Sequence, residues 1–140
     1  MVCCEGQYSI GGTSHSSAGQ PDCTQCPAGR YQPDPGKSSC INCPGGSVSA
    51  DVGATDADVC VACGAGQSSN GAGKANCTDC EAGEYQPAAS QSECDSCAAG
   101  RASNATAATS NATCEACLPG LYQSAVGQAS CTACTPGKYQ

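Results

Sequence analysis

The sequence of 140 residues has no Trp, no Phe, one Met and one His. Val, Ile, Leu and Met together number only 11, since 39 of the 55 hydrophobic residues are Ala or Cys. Burying a large aliphatic side chain contributes about 1.5–3 kcal/mol, while ordering each residue costs about 1–2 kcal/mol of backbone entropy. So few large side chains cannot build an ordinary core, which excludes a conventional globular enzyme and a helical bundle. No run of 18 apolar residues exists, so no membrane span is expected in this segment. Basic residues are scarce too: Arg30, Lys37, Lys74, Arg101 and Lys138 are scattered against 12 acidic residues, giving a net charge of −7. Without a basic stripe there is no footprint for nucleic acid. No nucleophile–base pair, carboxylate pair or phosphate loop stands out, so the sequence predicts neither an enzyme nor a cofactor. The lone His15, among Ser and Gly in the loop 9–20, reads as solvated.

What is abundant is cysteine, at 16 residues. Small folds without a core lean on disulfides, and disulfides persist outside the reducing cytosol. The expected location is therefore extracellular or at the cell surface. Three N-x-S/T sequons, at Asn76, Asn104 and Asn111, agree and are candidate N-glycosylation sites. The opening residues MVCCEGQYS contain neither a basic nor an apolar leader region. The sequence is thus expected to be part of a longer secreted protein, or a mature chain without its leader.

Internal repeats organise the chain. Seven C-x-x-C pairs occur: Cys23/Cys26, Cys40/Cys43, Cys60/Cys63, Cys77/Cys80, Cys94/Cys97, Cys114/Cys117 and Cys131/Cys134. Three residues after each second Cys stands Gly, from Gly29 to Gly137, and Cys3 with Gly6 keeps the same register. All five tyrosines, Tyr8, Tyr31, Tyr85, Tyr122 and Tyr139, sit five residues after such a Cys, and four are followed by Gln. The steps between second cysteines are 23, 17, 20, 17, 17, 20 and 17. Residues 26–79 and 80–133 therefore align without a gap, with 21 identities in 54. The organisation expected is a partial N-terminal unit at 1–25, two three-unit superrepeats at 26–79 and 80–133, and the start of a further unit at 134–140.

Between cysteines the sequence predicts turns and short extended pieces. Gly three residues after the Cys suits a turn with positive φ, and the next triplet, as at 30–32, suits a short strand. Gly19, Gly36, Gly73 and Gly127, each four residues before the next first Cys, suit the return turn. No helical periodicity is visible, and the Ala-containing stretch 101–113 reads as an exposed loop because of its Asn, Ser and Thr.

Paired C-x-x-C motifs also occur in zinc sites. Seven pairs do not divide into four-Cys sites, and the spacing never alternates between a short site gap and a longer linker. No metal site is expected. Under disulfide bonding, spacing alone does not fix connectivity, but every unit must close in the same way. A bridge inside C-x-x-C staples almost nothing. A bridge from each second Cys to the next first Cys closes rings contributing up to about 3 kcal/mol each. That scheme predicts Cys26–Cys40, Cys43–Cys60, Cys63–Cys77, Cys80–Cys94, Cys97–Cys114 and Cys117–Cys131, with Cys3–Cys23 by register. Cys4 and Cys134 remain over, for continuation of the array or a link to another chain.

The unit CPAGRYQPDPGKSSCINCPGG, residues 26–46, resembles the cysteine-rich repeats of tumour-necrosis-factor-receptor and ephrin-receptor-like type, written C-P-x-G-x-Y…C-x-x-C. The opening module of the former is similar in its second-to-next-first pairing. Long arrays of this kind occur in protist and algal surface proteins, including ciliate immobilisation antigens and flagellar-hair (mastigoneme) proteins. Pro follows the second Cys only at Cys26 and Cys43, and three units carry Val48, Ser68 and Ala102 in place of Tyr.

The fold expected is small and disulfide-rich: an elongated rod of tandem β-hairpin and turn units, with little regular secondary structure and no helices. Each unit would touch only its neighbours, and each Tyr would pack over the adjacent disulfide. Asp51, Asp56 and Asp58 share a loop and read as solvated, since Ala105, Ser110 and Ala112 replace them in the second superrepeat. The function expected is a structural segment of an extracellular filament, flagellar hair or surface coat. Its partners would be copies of itself, neighbouring repeats and glycans. The alternative is a receptor or adhesion ectodomain that binds a protein ligand.

Overall fold

The computed structural model describes residues 2–9 and 22–135. Among them, fourteen two-residue strands pair in chain order as seven antiparallel hairpins. The pairs are β1 (Gln7–Tyr8) with β2 (Thr24–Gln25), β3 (Arg30–Tyr31) with β4 (Ile41–Asn42), and β5 (Ser47–Val48) with β6 (Val61–Ala62). Then follow β7 (Gln67–Ser68) with β8 (Thr78–Asp79), and β9 (Glu84–Tyr85) with β10 (Asp95–Ser96). Last come β11 (Arg101–Ala102) with β12 (Glu115–Ala116), and β13 (Leu121–Tyr122) with β14 (Thr132–Ala133). The first strand of every hairpin follows the Gly of its unit. The second strand is the two residues inside the next C-x-x-C. Those two residues run extended, which carries their flanking cysteines apart.

No α-helix occurs among the described residues. Two single 3-10 turns do, Ala57–Val59 and Asn111–Thr113. The stretch 101–113 is thus not wholly irregular: it begins with β11 and ends in the second of these turns. The return turn lies ten residues after each second Cys, where φ is positive at Gly36, Gly53, Gly73, Ser90, Ala107 and Gly127. Counting back from the next Cys finds Gly36, Gly73 and Gly127 but misses Gly53 and Ala107. The three extra residues of the longer rings are inserted after the turn, as the 3-10 segments. Gly19 lies outside the described residues.

The chain divides into two compact units, 1–62 with 69–77, and 63–68 with 78–140. In the first, Gly36 N–H donates to Cys3 O at 2.8 Å, Gly53 to Cys26 O at 2.7 Å, and Gly73 to Cys43 O at 2.8 Å. Gly6 and Gly29 N–H donate to the carbonyls of Gln32 and Ser49 in the following ring, at 2.8 and 2.7 Å. The second unit repeats both sets. Its turn donors Ser90, Ala107 and Gly127 reach Cys63, Cys80 and Cys97 O at 2.8–2.9 Å, while Gly66 and Gly100 N–H reach Gln86 and Gln123 O at 2.7 Å. Backbone groups that a short hairpin leaves unpaired are thereby satisfied by the next ring.

Contacts reach beyond the adjacent ring, contrary to the nearest-neighbour expectation. A Cβ placed on Gly29 would run into the backbone of Gly73, and one on Gly83 into the backbone of Gly127, each two rings further on. The Gly in this repeat position is therefore fixed twice, by φ values of 85° and 90° and by the lack of room. Gly100 keeps the same conformation at φ 83° but has nothing within 4 Å of a built Cβ.

Cysteine is the commonest of the buried side chains, the rest being Ala, Ser and Gln. Cys26, Cys43, Cys63, Cys80, Cys97 and Cys114 are the largest fully buried side chains, joined by Ser69. Larger apolar side chains such as Ile41, Val61 and Leu118 are exposed.

Candidate functional site: the disulfide-closed rings

Each hairpin places the second Cys of one unit opposite the first Cys of the next. Cys3 bonds Cys23, Cys26 bonds Cys40, and Cys43 bonds Cys60. Cys80 bonds Cys94, Cys97 bonds Cys114, and Cys117 bonds Cys131. The Cα–Cα distances of these six bridges, 5.5–5.8 Å, lie in the usual range for unstrained closure. Cys63 and Cys77 are disulfide-bonded as well. Cys4 carries a free thiol and is exposed, and the free thiol of Cys134 is half-buried.

A second closure, made of hydrogen bonds, lies within the short rings. Gln32 Nε2 donates to Ser39 O at 2.7 Å, and its Oε1 accepts from Asp34 N–H at 3.0 Å. Gln86 does the same with Glu93 O and Ala88 N–H, at 2.8 and 3.0 Å, and Gln123 with Ser130 O and Ala125 N–H, at 2.9 and 3.1 Å. One amide thereby ties the start of the ring to its end, seven residues on. The longer rings carry Ser here. Ser49 Oγ accepts from Asp51 N–H at 3.2 Å, and Ser103 Oγ from Ala105 N–H at 3.3 Å. A hydroxyl is too short to span the ring, and a capped 3-10 turn is found near its far end instead. The ring that starts at Cys63 combines the short length with Ser69, whose buried Oγ has no partner. The sequence displayed the Gln after Tyr but not this role. Its signal was the choice between Gln and Ser at one repeat position.

Asp56 and Ser110 are N-caps of the two 3-10 turns, accepting from Asp58 N–H at 2.9 Å and Ala112 N–H at 3.1 Å. Asp and Ser are interchangeable in that task because each offers a short side-chain oxygen to the second amide of the turn. Asp51, Asp56 and Asp58 are all exposed. Among the described residues, no group of three or more His, Cys, Asp or Glu side chains is placed to hold a metal ion. His15 lies outside the described residues.

Tyr8, Tyr31, Tyr85 and Tyr122 are half-buried at the ends of β1, β3, β9 and β13. Tyr31 and Tyr85 also form parallel backbone bridges to Ala54 and Ala108 of the following ring. Tyr139 lies outside the described residues. All three sequon asparagines, Asn76, Asn104 and Asn111, are exposed. Thr113, the hydroxyl residue of the Asn111 sequon, donates from Oγ1 to Ser110 O at 2.9 Å. Arg101 Nη1 donates to Cys114 O at 2.9 Å and borders a groove of 350 Å³ with Tyr85 and Asn111. A second groove, of 480 Å³, runs past Asn104, Leu118 and Leu121.

Hairpin units closed by second-to-next-first disulfides and laddered through their backbones define a tandem cysteine-rich repeat protein. A family model described as tyrosine-protein kinase ephrin type A/B receptor-like matches three times, at residues 12–60, 66–114 and 107–140. The chain belongs to this ephrin-receptor-like family, and the matched part consists of cysteine-rich repeats. Among curated proteins none matches the chain.

Proposed function

We propose that this chain is a structural segment of an extracellular filament, flagellar hair or surface coat, stiffened by its disulfides and built to join copies of itself or neighbouring repeats. The carrying observation is the backbone ladder. The turn amide of one ring meets the second-Cys carbonyl of the ring before it, whether that turn residue is Gly, Ser or Ala. The turn residue of each added ring is thereby free to vary, which suits a load-bearing array better than a recognition surface. Fourteen disulfide-bonded cysteines and three exposed sequons fit passage to an oxidising, surface location.

Negative-stain imaging of the native source, with gold-labelled antibody to this chain, tests the reading. Label along ordered filaments or a coat lattice supports it; label on dispersed molecules only overturns it. Non-reducing electrophoresis tests the part given to Cys4 and Cys134: species that collapse to monomer on reduction support cross-linking, and a monomer alone refutes it.

A receptor or adhesion ectodomain is the second reading. The receptor in the family's description supports it, as do the side chains of the ring Cys97–Cys114, which differ from those of its counterpart. A purified protein ligand that binds this chain one to one would favour it.

A further inference from the structure

The groove beside Asn111 is bordered by Tyr85, Arg101 and Ser96, and the sequon asparagine itself forms part of its wall. Its volume of 350 Å³ is at the small end of the roughly 300–1,000 Å³ span of ligand sites. Asn111 and Arg101 are exposed, so a branch attached at Asn111 can leave toward water. Arg101 is tethered by its bond to the Cys114 carbonyl, which holds the guanidinium in place and leaves its other N–H groups free to donate. An amphipathic aromatic face next to fixed donors suits a pyranose, which offers C–H groups on one face and hydroxyl and acetamide oxygens at its edge.

The duplication supplies an internal control. Tyr85 has its counterpart in Tyr31, but Asn111 and Arg101 correspond to Ala57 and Ser47. The attachment residue and the donor are present together in one copy and absent together from the other.

We propose that Asn111 carries an N-linked glycan whose first N-acetylglucosamine lies in this groove, over Tyr85 and against Arg101, as a fixed part of the ring Cys97–Cys114. The proposal rests on the surface location but not on the filament reading. A bare Asn111 would overturn the proposal and leave the filament reading standing.

The test uses the full chain secreted from insect cells behind a cleavable leader. Peptide mapping by mass spectrometry first reads occupancy at Asn111; an unoccupied site refutes the proposal. Nitration of tyrosines with tetranitromethane then compares Tyr85 with Tyr31. The seated sugar makes Tyr85 react several-fold more slowly than Tyr31, and Asn111→Gln abolishes that difference while leaving Tyr31 unchanged. Arg101→Ser, which installs the residue of the other copy, loosens the sugar and raises Tyr85 reactivity part of the way without lowering occupancy. Equal reactivity of the two tyrosines in the glycosylated chain overturns the proposal, and so does protection of Tyr85 that survives Asn111→Gln. Unreduced peptide maps of each variant verify that the rings are still closed.

Discussion

The rings Cys43–Cys60 and Cys97–Cys114 occupy the same place in the two halves of the duplication, 54 residues apart. Their backbones agree closely. Both close over a sequence separation of 17 with a Cα–Cα distance of 5.5 Å, both turn at the tenth residue, and both end in a capped 3-10 turn. Their surfaces do not agree. Exposed Ala50, Val52, Ala57 and Asp58 in one correspond to exposed Asn104, Thr106, Asn111 and Ala112 in the other. The difference separates two sets of residues. Cys, the Gly after it, a Ser that bonds forward and a capping oxygen specify the ring, and most other positions are left free to carry surface chemistry.

Opening the rings gives the largest effect and the bluntest test of that equivalence. Replacing both cysteines of either ring by Ser is expected to cost about 3 kcal/mol, and equally in the two, as read from urea unfolding of the secreted chain. A large inequality would mean that side chains outside the shared set help to hold one ring. Gly83→Ala and Gly100→Ala sharpen the comparison by dividing strain from crowding. Both residues have positive φ, but only at Gly83 would the new methyl meet a backbone, with Gln128 N at 2.8 Å. Strain alone is expected to cost roughly 1 kcal/mol at Gly100, and crowding to add roughly 1–2 kcal/mol at Gly83. Equal losses in thermal unfolding would rule out the second-neighbour contact.

The caps come next. Asp56→Ala and Ser110→Ala are each expected to cost about 1 kcal/mol, seen as faster hydrogen exchange at the amides of Asp58 and Ala112. Asp56→Ser should restore the slow exchange. The smallest effect is a gain. Ala107 holds φ 52° where its counterpart is Gly53, so Ala107→Gly is expected to stabilise by roughly 0.5–1 kcal/mol. A loss on that substitution would show that the two turns are not equivalent.

Much of this was legible in the sequence, because cysteine and glycine recur in register and each has few structural uses. The hairpins followed from the triplet after each Gly, and the lack of α-helices among the described residues from the lack of apolar periodicity. The turns of the long rings were not legible, since counting back from the next Cys passes through the inserted residues before reaching Gly53 or Ala107. Asp56 looked like one of three loose acids because its cap role is visible only beside Ser110 in the same geometry. The clamp made by Gln32 spans seven residues of a closed ring, and the crowding at Gly29 comes from two rings away. Neither can be read within a single unit, and the clamp shows only as the choice between Gln and Ser at one repeat position.

The position of the 3-10 turns also bears on how such chains change over time. Up to Ala54 a long ring is bound to the ring before it; beyond that, Asp56 and Cys60 bond only within the ring. Residues added there disturb no rung of the ladder, provided they close on themselves, and the smallest segment that does so is one 3-10 turn of three residues. The sequence separations of the bridges, 14, 17 and 20, differ by that same quantum. Length variation in this family of rings is thus expected to be discrete, in steps of one turn, and confined to a single permissive site just before the closing cysteine.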